Sequence, residues 1–161
     1  SWRHFSKKPE RCSMERFARE HAMPTTFDLQ RFVTAQDPVY AAVVNELRQG
    51  RKRTHWMWFI FPQIAGLGHS AMAQHYAIAN ADEAAAYLAH PVLGPRLREC
   101  AALVASHGDV PVDAIFHAPD DLKFHSSMTL FADVAPDEAV FYTCLDTFFD
   151  GLPDHATLAR L

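Results

Sequence analysis

Apolar residues recur along this chain at three- and four-residue spacing, and that spacing predicts helices. Val39, Tyr40, Val43, Val44 and Leu47 form one run, with Asp37 as the expected N-cap, Pro38 in the first helical position and Gly50 as the stop. A shorter run, Leu29, Phe32 and Val33, has Thr26 as its expected cap. Asp82 precedes Ala84, Ala85, Tyr87 and Leu88. Val92, Leu97, Ala101, Leu103 and Val104 predict a further helix, interrupted near its start by Gly94-Pro95. Pro136 opens another, whose broad face holds Val140, Phe141, Cys144, Leu145, Phe148 and Phe149 before Gly151 ends it. A last short helix is expected from about Asp154. The pattern implies an all-α fold, a single compact multihelical domain of about 7–8 helices over residues 25–161.

One stretch departs from amphipathic spacing. In RKRTHWMWFIFPQ, residues 51–63, three cations run into a block that is apolar all round. Thr54 is a plausible N-cap and Pro62 forces an exit, so the block predicts a short helix buried on every side. A buried strand is the rival, favoured by Trp, Phe and Ile, but no other segment offers an alternating partner. The run from Trp56 to Phe61 is far short of the roughly 18–20 apolar residues that span a bilayer, so no membrane span is expected. Aromatics beside basic residues leave an interfacial anchor as the remaining membrane reading.

The second distinctive stretch is DDLKFHSSMTLF, residues 120–131. Asp120 is placed to cap its helix. Lys123, Ser126 and Ser127 then fall on one side of it, and an ammonium beside two hydroxyls suits a phosphate or carboxylate. Phe124, Met128 and Phe131 face inward. Taken with the first block, the candidate ligand-binding residues are Lys52, Trp56, Trp58, Gln63, Ser70, Lys123, Ser126 and Ser127. The alternative is a set of solvated surface groups and serines bonded back to their own helix. His55, Asp121 and His125 are candidate acid–base groups, Asp121 and His125 standing four apart.

Other motifs add little. Gly66-Leu67-Gly68-His69-Ser70 is a glycine-containing turn before a helix, and it lacks the P-loop and dinucleotide patterns. Ten histidines invite a metal reading, but no HExxH motif is present. His117 and His125 stand eight apart, which is about 12 Å along a helix. No metal and no cofactor is expected. There is no nucleophile elbow, and the three cysteines, Cys12, Cys100 and Cys144, form no CxxC pair.

The composition is 49% hydrophobic and 21% charged, that of an ordinary globular chain. Its charge is uneven. Residues 1–24 hold six Lys/Arg against three Asp/Glu, and the rest is acidic although Arg48, Arg51, Lys52 and Arg53 fall within six positions. Residues 1–24 are expected to form a flexible or loosely docked arm, with Met14 and Met23 as alternative starts. An acidic body disfavours general nucleic-acid binding, and an odd cysteine count without a secretion signal suits a cytoplasmic protein. The local basic cluster could instead dock an acidic protein partner of unknown identity.

The order LQRFVTAQDPVYAAVVNELRQGRKRTHWMWFIFPQIAGLGHS, then YAIANADEAAAYLAHPVLGPRL, DDLKFHSSMTLF and FFDGLPDHATL resembles a bacterial and fungal family of unknown function. The family is typified by a small mycobacterial protein, and some members carry the label calpastatin. The resemblance covers residues 27 to 161 and implies a mainly helical single domain. It brings no activity and no catalytic residues. His117 departs from it, standing where a small residue such as glycine is expected.

Two functional readings follow. One is a pocket, catalytic or not, for an anionic, nucleotide-like small molecule such as ADP-ribose, with Trp56 or Trp58 stacked on a planar group and Lys52 and Lys123 on its phosphates. It requires the two blocks to meet in space. The other is a non-enzymatic helical interaction module.

Overall fold

A computed structural model describes residues 27–161. The arm expected over residues 1–24, the cap at Thr26 and Cys12 lie outside the described residues. Ten helices follow in order: α1 (Gln30–Gln36), α2 (Tyr40–Arg48), α3 (Met57–Ile60), α4 (Ala71–His75), α5 (Ala81–Ala89), α6 (Leu93–Ala105), α7 (Val112–Phe116), α8 (Asp120–Val134), α9 (Ala139–Phe149) and α10 (His155–Leu158). Six have seven residues or more. The described residues contain no strand, only one parallel bridge between Ile64 and Ile78.

The long helix α8 is the centre. Phe124 and every residue from Ser126 to Asp133 are buried, because α5, α7, α9 and α10 all pack on it. A second layer forms where α6 packs between α2, α5 and α9. α1 packs on α3 and completes the apolar end around Phe32 and Phe59.

Several helix ends differ from the sequence expectation for local reasons. α2 starts at Tyr40, not at Pro38, because Asp37 closes α1 in helical geometry and its carboxylate pairs with Arg96 at 2.8 Å. Asn80, two residues before Asp82, caps α5 by accepting from the Glu83 amide. Gly94-Pro95 does not interrupt α6. Both lie in its first turn, where a missing N–H costs no helical bond. Gly94 is there for closeness: a Cβ would stand 2.1 Å from the Leu88 carbonyl oxygen. α9 begins at Ala139, three residues after Pro136, and α10 begins just after Asp154, near the expected place, with Asp154 as its cap.

The junction between α7 and α8 is strained. His117 holds φ 61° and ψ 158°, a region populated almost only by glycine. This is the position where the resemblance placed a small residue. His117→Gly is therefore expected to stabilise the fold by about 1 kcal/mol, the relieved strain exceeding glycine's extra freedom in the unfolded chain. A higher urea midpoint with an unchanged slope is the expected observation; an unchanged or lower midpoint would mean that the turn carries no strain.

Candidate functional site

The site is built on a loop held by one carboxylate. Gly50, at φ 75°, turns the chain out of α2. Glu46, buried on α2, reaches the loop that follows. Its Oε1 accepts from the Arg53 amide at 2.6 Å, the Thr54 amide at 2.9 Å and the Trp56 indole at 3.1 Å. Its Oε2 accepts from the Thr54 hydroxyl at 2.7 Å. Burial alone would raise the Glu46 pKa, but these hydrogen bonds outweigh it and hold the carboxyl below its ordinary value. Thr54 thus bonds backward to Glu46 instead of capping α3. The helix starts at Met57, after Trp56, and spans one turn.

The same loop delivers Lys52. Its amide donates to the Ile115 carbonyl at 2.8 Å, which fixes the loop to α7. The strained turn at His117 then brings the first residue of α8, Asp120, under the Lys52 ammonium at 3.0 Å. Lys123, one turn along α8, stands 3.6 Å from the other oxygen of Asp120. Each ammonium also lies over a tryptophan, Lys52 at 5.2 Å from the Trp56 ring centre and Lys123 at 5.3 Å from that of Trp58. The two distinctive sequence blocks therefore meet through one carboxylate, two lysines and two indoles.

Trp58 is half-buried, unlike Met57, Phe59 and Ile60 on the same turn, so the block is not buried on every side. The reason is a small cleft. Trp58, Gln63, Tyr76 and Lys123 line it beside Met57 and Phe61, and its free volume is about 10 Å³. That is room for one water or for one small group of a ligand. Among the described residues, the Trp58 indole Nε1 and the Ser127 hydroxyl are buried side-chain polar atoms without a hydrogen-bond partner. Ser127 lies one turn along α8 from Lys123 and is fully buried.

The other residues singled out from the sequence have different surroundings. Trp56 is core, 1% exposed, with its N–H on Glu46. Ser70 caps α4 by accepting from the Ala73 amide at 3.1 Å, and α4 has only five residues. Ser126 turns away from Lys123, donating to Asp154 at 2.9 Å and so tying α8 to the cap of α10. A 60° rotation between positions 123 and 126 is enough to give them different neighbours. Asp120 uses its carboxylate on the lysines and makes no side-chain cap.

The acid–base candidates are dispersed. The His125 ring stacks on Phe149 at 4.0 Å and its Nε2 meets the Leu152 carbonyl at 2.8 Å. Asp121 accepts from the Leu122 amide. His55 is exposed on the loop. Cys100 and Cys144 are free and buried, and burial pushes each thiol up to about 12, so neither is a nucleophile at neutral pH. No group of three His, Cys, Asp or Glu side chains converges among the described residues. No helix among them is long and apolar enough to cross a membrane.

Residues 26–161 match the family described as a protein of unknown function, DUF1810. The chain is also similar to a conserved hypothetical protein, Rv1873, from Mycobacterium tuberculosis, whose crystal structure superposes with a TM-score of 0.83 at 52% identity. The match covers 84% of this chain and 96% of that one. No curated protein matches.

Proposed function

We propose that this chain, which belongs to the DUF1810 family of proteins of unknown function, binds a compact anion in the cleft between α3 and α8. One observation carries the reading. Lys123, Tyr76 and the pair Trp58 and Gln63 come from three parts of the sequence and converge on one cleft. A fold needs an ammonium there less than a ligand does, because nothing in the apolar packing calls for it. The Gln63 side chain lines the cleft, and the Trp58 N–H lacks an acceptor among the described residues. Oxygens of a phosphate or carboxylate suit these donors. The free volume of about 10 Å³ matches one oxygen-sized group of a ligand and not a nucleobase. The reading thus narrows from a nucleotide-like molecule to the charged group that such a molecule shares with simpler anions. It is a proposal of binding, and His55, Asp121 and His125 have no part in it.

Thermal unfolding against phosphate, acetate, sugar phosphates, ADP-ribose and nucleotides tests it. A ligand at about 100 times its dissociation constant adds roughly 2.7 kcal/mol, which raises the midpoint of a domain this size by about 5–10 °C. Lys123→Ala is expected to abolish that rise. A rise that survives the substitution would place the ligand elsewhere, and a flat panel would remove the reading.

A second reading draws on Arg48, Arg51 and Arg53, which are exposed and form no ion pair among the described residues, as an acidic protein would require. Under it, Arg51→Glu with Arg53→Glu abolishes partner capture and leaves anion binding intact.

A further inference from the structure

We infer that Lys52 is the positioning residue of this anion site: it holds Asp120 off Lys123, and so leaves Lys123 as the cation that meets the ligand. The inference rests on the proposed site and names the part of it that decides affinity.

Asp120 is one carboxylate between two ammoniums, and the two contacts are unequal. Lys52 is within hydrogen-bond distance at 3.0 Å, whereas Lys123 at 3.6 Å is beyond it. Lys52 is also the better fixed. Its side chain is 8% exposed, against 25% for Lys123, and its own amide is bonded to α7. The bond to Lys52 thus draws Asp120 to one side. Lys123 keeps its charge over the Trp58 face, on the wall of the cleft. Asp120 is nonetheless the anion already nearest to Lys123, so an incoming phosphate competes with it. Removing Lys52 frees Asp120 to close on Lys123 and occupy the ammonium that the ligand needs. Removing the charge of Asp120 takes the competitor away.

The prediction is a set of opposite signs. Inorganic phosphate is titrated calorimetrically into the full chain and its variants at constant ionic strength. Asp120→Asn is expected to tighten binding about fivefold and Lys52→Met to weaken it about fivefold, the scale of a partly exposed charge pair. The double variant is expected within about twofold of Asp120→Asn, because with no carboxylate left to hold, Lys52 has nothing to position and Lys123 is unopposed in both. Arg53→Met removes an equal charge one residue away on the exposed side of the loop, and is expected to change affinity by less than about twofold. If Arg53→Met weakens binding as much as Lys52→Met, the effect is a general field and the positioning role is overturned. If Asp120→Asn weakens binding, the pair is merely structural and the role is overturned as well. Wild type and Asp120→Asn both failing to bind phosphate would remove the site, and the inference with it. Binding by wild type with the wrong order of variants removes the inference alone. Should Lys52→Met fail to fold, Lys52→Gln keeps the stem without the charge and is read in the same way.

Discussion

Glu46→Ala is expected to cost about 3 kcal/mol of folding stability, because one buried carboxylate satisfies four donors at once. The Trp56 indole stays buried after the substitution and loses the acceptor that Glu46 gives its N–H. The Arg53 and Thr54 amides regain water in part, which keeps the total below the sum of four bonds. Glu46→Gln is expected to cost about a third as much. Its carbonyl oxygen can replace Oε1 for all three N–H donors, and its amide can donate to the Thr54 hydroxyl, which accepts as readily as it donates. Only the charge is lost. The two variants also differ from the wild type in their pH dependence. The folded pKa of Glu46 lies below its unfolded value, so its contribution is fully present above the unfolded value and disappears as pH falls through the folded one. Urea unfolding at pH 7 and again below about pH 4 should therefore show the wild-type advantage over Glu46→Gln shrinking in acid. Equal midpoints of wild type and Glu46→Ala at pH 7 would show that the loop holds its shape without the carboxylate.

Glu46 also shows why the candidate site was only partly legible. The helical class was readable because long runs such as Val39 to Leu47 keep one period, and α2, α6 and α9 follow it, whereas the central α8 is buried round most of its length. Helix starts were less readable, because capping residues are often bidden for by tertiary partners. Thr54 goes to Glu46, Asp37 to Arg96 and Asp120 to two lysines, and each helix then begins elsewhere. Lys52, Trp58, Gln63 and Lys123 stood out as polar groups embedded in two aromatic blocks, and the fold brings these blocks together. Glu46 and Tyr76 did not stand out. Glu46 did leave a trace: it is an acidic residue between Val43 and Leu47 on the buried side of α2. Tyr76 left none, because its place in the cleft depends on how the turn after Gln63 folds back to the Ile64–Ile78 bridge. Ser126 and Ser127 illustrate the opposite limit. Adjacent positions on one helix meet α10 and the apolar interior respectively, and spacing does not say which.

Phe124→Ala is expected to have the largest effect on stability, about 4 kcal/mol, with a fall in the thermal midpoint of about 10 °C. The ring is fully buried and joins four parts of the fold. It stands 5.0 Å from Phe61 edge-to-face, is stacked on Phe116 at 4.7 Å, and meets Phe148 and Phe149 at 6.4 and 6.3 Å. The end of α3, α7 and α9 are thus fixed to α8 through one side chain, and no single neighbour can collapse into the space that alanine would leave. Phe124→Leu fills much of that space and loses mainly the ring geometry, so about 1–2 kcal/mol is expected. Position 124 also follows Lys123. A cavity there loosens the first turns of α8 and the Phe61 wall of the cleft, so phosphate affinity should fall together with stability. Phe141→Ala is the control. That ring is equally buried but packs on Phe131, on the far part of α8, and its loss should cost comparable stability while leaving phosphate affinity within about twofold. If both alanine variants weakened phosphate binding equally at a temperature where both are folded, the site would depend on global rigidity; a loss confined to Phe124→Ala would tie it to the aromatic joint beneath Lys123.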